Sequence, residues 1–420
     1  MHNQNPNLFE YITNGIHIKD ASATVENSIF TGIMTDPGIS IPFNGRALHF
    51  ISELPTPERL IAGVIANQPE GDLSFTNCPV GIEVVSAHAD ISHNNFSSVE
   101  EGILCRNAFG YTLNITENEM TNAGTGVRLM FNDPASGITV QGNEISTSPG
   151  GIGIRVEEQG NGQPEAAVKE NTITGQMTAG IRLNNASGYE VSGNTVQMNN
   201  SIEGSGRAIQ INNCSNLLVE ENSLIGGSSP AFNNIGLDVQ DATNSQYHCN
   251  YFHSLKLGAR FLGACNNMAF STSQFHPPFF GPALTYEDAL MTSQQIHTGN
   301  RWYLEDDYYG AAAINRAGSL NNLLLSRYIV NEEDPSSQFP TPDFSYHPSG
   351  ISLPNLPGTP VEQWFPVDEM GNPLICIDPP GVASPDPKDI DLMIAGGTDG
   401  YFPGGRPKDS DYTQILRRKE

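Results

Sequence analysis

The stretch Val168-Lys-Glu-Asn171-Thr-Ile173-Thr-Gly-Gln-Met-Thr-Ala-Gly180-Ile-Arg-Leu183 contains both halves of a repeat that decides the fold. The half Gly–apolar–x–apolar recurs at Gly81-Ile-Glu-Val, Gly102-Ile-Leu-Cys, Gly126-Val-Arg-Leu, Gly153-Ile-Arg-Val, Gly236-Leu-Asp-Val and Gly258-Ala-Arg-Phe. Ala208-Ile-Gln-Ile is a variant of it, and Gly15-Ile-His-Ile an early copy. The other half, apolar-x-x-Asn-x-apolar, recurs around Asn94, Asn118, Asn143, Asn171, Asn194, Asn222 and Asn250. Thr24…Asn27…Ile29 is its early copy, and a last copy places Ser273 where Asn is expected, before Phe275. Asn94 and Asn250 lie six repeats apart, an average of 26 residues each.

In Gly-Ile-Arg-Leu the two apolar residues share one face and the residue between them points outward. The glycine marks a place where the backbone needs a positive φ or a close approach. The repeated Asn reads as a turn residue that tolerates the left-handed region and bonds to its equivalents in neighbouring copies, an amide ladder. A repeat with two short strands is too small for a four-stranded propeller blade, and no leucine-rich pattern precedes the Asn. Stacked short-strand coils make an all-β solenoid whose stability is a sum over coils and their interfaces.

Composition agrees. Charged residues are only 16% of the chain, against roughly a quarter in ordinary domains. With 46 acidic against 20 basic residues the net charge is −26, which repels phosphate backbones and anionic membranes. Nucleic acid is therefore not an expected partner. No run of about 18 apolar residues suggests a membrane span, and the start shows no signal-peptide pattern. The expected location is extracellular or the cell surface, with the chain a piece of a longer parent protein whose other domains are its partners. Six scattered cysteines without a C-x-x-C suggest buried free thiols.

The repeats organise residues 1–276, with a segment at about 33–80 that breaks the period and reads as a loop excursion or one irregular coil. Prolines crowd 277–375, which reads as an extended cap anchored by Trp302 and Trp364, with a helical turn at Thr285–Thr298. Residues 376–420 read as a loose tail.

These marks resemble the right-handed parallel β-helix repeat proteins of the pectin-lyase-like superfamily, over about residues 15–276. Right-handedness is what this resemblance implies, in line with the general bias of parallel connections. Asn300-Arg-Trp and Gln363-Trp-Phe-Pro resemble segments that follow β-helices in large modular surface proteins of bacteria with type IX secretion. Pectate-lyase-like members hold calcium beside a catalytic Arg or Lys, which the resemblance places at Asp238, Asp241 and Arg260. Asp241 also reads as a turn residue in line with Asn185 and Asn213. Polygalacturonase-like members carry Asp-Asp, Gly-His-Gly and Arg-x-Lys. The only Asp-Asp here is Asp306-Asp307, outside the repeats, and neither other motif occurs within them.

The outward residue of the Gly strand is Arg128, Arg155 and Arg182 in three consecutive coils, so the three guanidinium groups stack about 5 Å apart. Such a ladder suits an anionic polysaccharide held by bidentate contacts. The competing reading pairs these arginines with Glu157, Glu158 or Glu190. Glu117, Glu170 and Glu221 precede the ladder Asn and form an acidic column to which calcium is a possible cofactor. The histidines assemble no site, and no resident metal is expected. The expectation is a non-catalytic surface module, a rigid spacer or adhesin-like element that binds anionic glycans. A polysaccharide lyase or a purely structural fragment are the alternatives.

Overall fold

The computed structural model describes residues 7–35, 45–54, 58–63, 73–107, 110–130, 137–157, 166–199, 206–227 and 233–276. Beyond these it describes 283–287, 289, 295–296, 300–302, 313–316, 328–331 and 367–368. Trp364, Glu158, Asp306-Asp307 and the tail 376–420 lie outside the described residues.

Each Gly strand pairs in parallel with its counterpart one coil away. Ile154 faces Val127 on one side and Ile181 on the other, and the register continues through Ile209 and Leu237 to Ala259. The strand after each ladder Asn does the same, as does a third strand that ends before it. The described strands form a 21-stranded sheet, a 10-stranded sheet and a 3-stranded sheet, and they pair in parallel. Inward residues such as Ile154, Ile181, Val168 and Ile173 are fully buried and fill one continuous core. The chain is a parallel β-helix repeat protein.

The glycines of the repeat have an ordinary φ, and close approach explains them. A Cβ on Gly153 would sit 2.6 Å from the Gly180 carbonyl oxygen and 2.6 Å from Ile173 Cγ2. The left-handed residue of the other half-repeat is not the ladder Asn but the residue before it. His93, Glu117, Gly142, Glu170, Gly193, Glu221, Cys249 and Thr272 all have φ between 51° and 66°. The ladder Asn side chain turns inward instead. Asn118 Nδ2 donates to Asn143 Oδ1 at 2.9 Å, Asn143 to Asn171, and so on to Asn250. Asn94, Asn143, Asn194, Asn222 and Asn250 are completely buried.

Of the two readings left open for segment 33–80 the coil is the one formed: Arg46–Ile51, Arg59–Gly63 and Leu73–Thr76 pair with the coils on both sides. Its sequence hides this because Leu73 stands at the ladder position and no Gly-x-x-x strand begins it. The early copy is shifted by one residue: Ser28, not Asn27, faces Leu73, and Phe30, not Ile29, enters the core. The solenoid does not stop at 276, since Leu284–Glu287 and Ala313–Arg316 continue the Gly-strand face in parallel. Thr285 therefore lies in a strand rather than a helical turn, because it adds to an existing parallel edge. Cys78, Cys105, Cys214 and Cys265 are buried free thiols, whereas Cys249 is disulfide-bonded.

Candidate functional site

The outward column of the Gly strands gathers six charged side chains in register among the described residues. In register it reads His17, His49, Glu83, Leu104, Arg128, Arg155, Arg182, Gln210, Asp238, Arg260 and Thr285. Parallel pairing stacks these side chains about 4.8 Å apart. Residues three places before it, such as Arg46, Glu101 and Arg207, and two places after it, such as Arg106 and Glu157, form flanking columns.

Carboxylates bridge arginines from the coils before and after them. Glu83 is fully buried and held by Arg46 Nε and by Arg106 Nη2, the latter at 2.5 Å. Asp238 takes Arg207 Nε at 2.5 Å and a two-point contact from Arg260, with Nε at 2.9 Å and Nη2 at 3.0 Å. Arg128 reverses the arrangement. Its guanidinium lies between Glu101 at 2.5 Å and Glu157 at 3.0 Å. Burial works against the Arg128 charge, but these two carboxylates outweigh it and raise its pKa.

The structure therefore brings Arg128, Arg155 and Arg182 together in register and gives them different surroundings. Arg155 pairs with Glu157 through Nη2, while its Nε is buried without a hydrogen-bond partner. Arg182 donates from Nε to the neutral amide oxygen of Gln210 at 2.7 Å. Its pKa is lowered, first by burial, then by the charges of Arg155 and Arg207, with only Glu157 opposing. Glu190 lies on the 10-stranded sheet and accepts from Ser192 Oγ.

Asp238 and Arg260 meet, as the sequence suggested, but Asp241 does not join them. It occupies the left-handed corner in line with Asn185 and Asn213, and its Oδ1 accepts from the Ala264 backbone N–H at 2.9 Å. The acidic column is also discontinuous. Glu117, Glu170 and Glu221 sit on alternate coils with Gly142 and Gly193 between them. Their carboxylates are thus two coils apart, about 10 Å, too far for one calcium ion to bridge. Glu117 contacts His93 at 2.5 Å, and Glu170 accepts from Gln141 at 2.6 Å.

Sequence reasoning missed two features. Asn300 resumes the ladder after Ser273, accepting from the Ser273 N–H at 3.0 Å and donating to the Phe270 carbonyl at 2.9 Å. The signal was the Asn300-Arg-Trp triplet, which has the Asn-x-apolar spacing. Second, His17 and His49 stack in adjacent coils with centroids 4.8 Å apart and Nδ1 atoms 2.8 Å apart. That pair was hidden because the coil carrying His49 went unrecognised.

A family model described as periplasmic copper-binding protein (NosD) matches residues 64–231, less than half the chain. No curated protein matches the sequence. Among solved structures, PfbA, a surface adhesin of Streptococcus pneumoniae, is similar at 11% identity and a TM-score of 0.32. The similarity covers 74% of this chain and 79% of that one, and at that score it carries no functional argument.

The residues of the matched segment do not fit a copper centre. Burial pushes the thiols of Cys78 and Cys214 up to about 11 and that of Cys105 to about 12, so none is a thiolate ligand at neutral pH. His88 accepts from the Thr112 N–H through Nδ1, while His93 faces Glu117. Among the described residues no group of three or more His, Cys, Asp or Glu is placed to hold a metal ion.

Proposed function

We propose that this chain is a non-catalytic β-helix module acting outside the cytoplasm, at a cell surface, and that it holds carboxylated glycans on its strand face around Arg155, Arg182 and Arg207. The observation that carries this reading is Arg182. It is half-buried beside two other guanidinium groups, and the column places a neutral Gln210 next to it. Elsewhere on this face the protein supplies its own carboxylate between arginines, as Glu83 and Asp238 do. An external carboxylate taken by bidentate contact completes the same alternation at Arg182.

Stacked coils hold these groups rigidly, which limits the entropy lost on binding. The matched family's description as periplasmic supports a location outside the cytoplasm. Asp238 has both oxygens engaged by arginines and Asp241 faces a backbone amide, which supports a binding role over a calcium-dependent lyase.

The test is salt-gradient elution of the full chain from immobilised polyuronate and from a neutral polysaccharide, with the chain length of recovered glycan measured with calcium and with chelator. The expected result is retention on polyuronate alone, intact glycan, and elution at clearly lower salt for Arg182→Ala than for Arg128→Ala. Shortened glycan would overturn the non-catalytic reading, and wild-type elution with the neutral matrix would overturn glycan binding.

A further inference from the structure

Glu157 stands in the flanking column beside the arginines, in register with Met130 on one side and Asn184 on the other. Its carboxylate is shared between two coils. Oε2 accepts from Arg128 Nε at 3.0 Å, and Oε1 pairs with Arg155 Nη2. The two arginines depend on it unequally. Arg128 has a second carboxylate, Glu101, at 2.5 Å, whereas Arg155 pairs with no other acid among the described residues. One coil further on, Arg182 donates from Nε to Gln210, and its two terminal nitrogens take no hydrogen-bond partner among the described residues. Neighbouring arginines of one column thus differ: Arg182 is open and Arg155 is already occupied by a carboxylate of the chain itself.

We propose that Glu157 is a specificity-determining residue of the glycan site: it guards Arg155, which opens only to a ligand whose neighbouring carboxylate is already on Arg182. The proposal rests on the glycan reading above. A lone carboxylate gains little at Arg155, because it exchanges one ion pair for another while losing its own hydration and freedom. Glu157 is attached to the same strand as Arg155 and so competes at a high effective concentration. A chain with carboxylates on neighbouring sugars meets that competition on equal terms. Its first carboxylate takes the open nitrogens of Arg182, and the next is then held one coil away, about 4.8 Å, beside Arg155. Only the Oε1 contact of Glu157 gives way. Oε2 stays on Arg128, so no buried charge is left unpaired. The arrangement selects closely spaced carboxylates over isolated ones, and Glu157 rather than the arginines sets that preference.

The full chain is titrated with a uronate monomer and with an oligouronate of the same sugar. Calorimetry gives affinity, and the Nε–H NMR signals of Arg155 and Arg182, assigned with Arg155→Lys and Arg182→Lys, give position. In wild type the monomer should shift the Arg182 signal and leave that of Arg155, while the oligomer should shift both. In Glu157→Gln the monomer should shift both, and the oligomer should bind about threefold more tightly or better. A monomer that shifts Arg155 as readily as Arg182 in wild type would overturn the proposal, and this comparison stands even where Glu157→Gln does not fold. Unchanged or weaker oligomer binding by folded Glu157→Gln would overturn it too, making Glu157 a support for Arg155 rather than its guard. If wild type bound no oligouronate, the glycan reading itself would fall and this inference with it; binding without the predicted difference between the two arginines would overturn this inference alone.

Discussion

Truncation of one ladder side chain, Asn143→Ala, tests what holds successive coils together. Asn143 Oδ1 accepts from the Asn118 backbone N–H at 3.0 Å and from Asn118 Nδ2 at 2.9 Å. Its Nδ2 donates to the Ile115 carbonyl at 3.0 Å and to Asn171 Oδ1 at 2.9 Å. Nδ2 also lies 3.2 Å from the Gln141 carbonyl, and alanine removes all five bonds. The Asn118 side-chain amide keeps the Ile91 carbonyl as partner, but the buried Asn118 N–H loses the acceptor seen here. An orphaned buried donor costs about 1–3 kcal/mol and a lost bond about 0.5–1.5 kcal/mol; these bonds share donors and acceptors and do not add in full, so the loss should be about 2–5 kcal/mol. Asn143→Leu fills the space without restoring an acceptor and should recover little of it. The assay is urea unfolding by circular dichroism with hydrogen exchange resolved to coils, because a solenoid need not unfold in one step. Exchange should accelerate first around residues 113–120 and 138–145. A midpoint shift worth under about 0.5 kcal/mol, the range of an ordinary surface change, would refute the ladder as a source of stability.

Two further outcomes follow from particular contacts. Gly153→Ala drives a methyl into a backbone carbonyl that cannot swing aside, so its melting temperature should fall by the equivalent of about 1–3 kcal/mol; an unchanged melting curve would count against close approach as the reason for glycine. His253 and His276 are buried, and burial depresses both from 6.5 to about 3, with the neighbouring His253 adding to the effect on His276. The unfolded chain therefore binds more protons than the folded one between about pH 6.5 and pH 3, and stability should fall as pH drops through that window. At pH 5 each histidine should account for about 2 kcal/mol of loss relative to pH 7.5. Urea midpoints of wild type and His253→Gln/His276→Gln would show this, and equal pH dependence in the two would sink it.

The repeat made the solenoid readable because its two signals report on the backbone directly. An apolar pair two residues apart says strand, and an Asn or Gly at fixed spacing says where coils must bond or touch. Where a coil lacks both signals, as with Leu73 at the ladder position, the same backbone geometry forms from burial and pairing alone, and the sequence pattern is silent. The boundary at 276 failed for a related reason. Leu284–Glu287 adds to an existing parallel edge, so it needs no Gly strand of its own. The arginine column was legible because strand alternation dictates which residues face out. Its electrostatics were not, since Glu101 and Glu157 reach Arg128 from flanking columns whose register depends on loops of variable length between copies.

The cost of stacking like charges bears on why Arg182 is an arginine. Two unit charges about 5 Å apart at an effective dielectric constant near 20 repel by about 3 kcal/mol. A rigid parallel sheet cannot relieve this by moving the backbone, because register fixes the Cα positions of Arg155, Arg182 and Gln210. On the same face the chain removes such repulsion by placing Glu83 between Arg46 and Arg106 and Asp238 between Arg207 and Arg260. An acid at position 210 would do so for Arg182. The chain has acids in abundance, 46 of them, and has Gln there instead. The cationic step at Arg182, which only Glu157 opposes, therefore works against folding stability, and that cost is the reason the proposal above gives it a ligand bearing its own carboxylate.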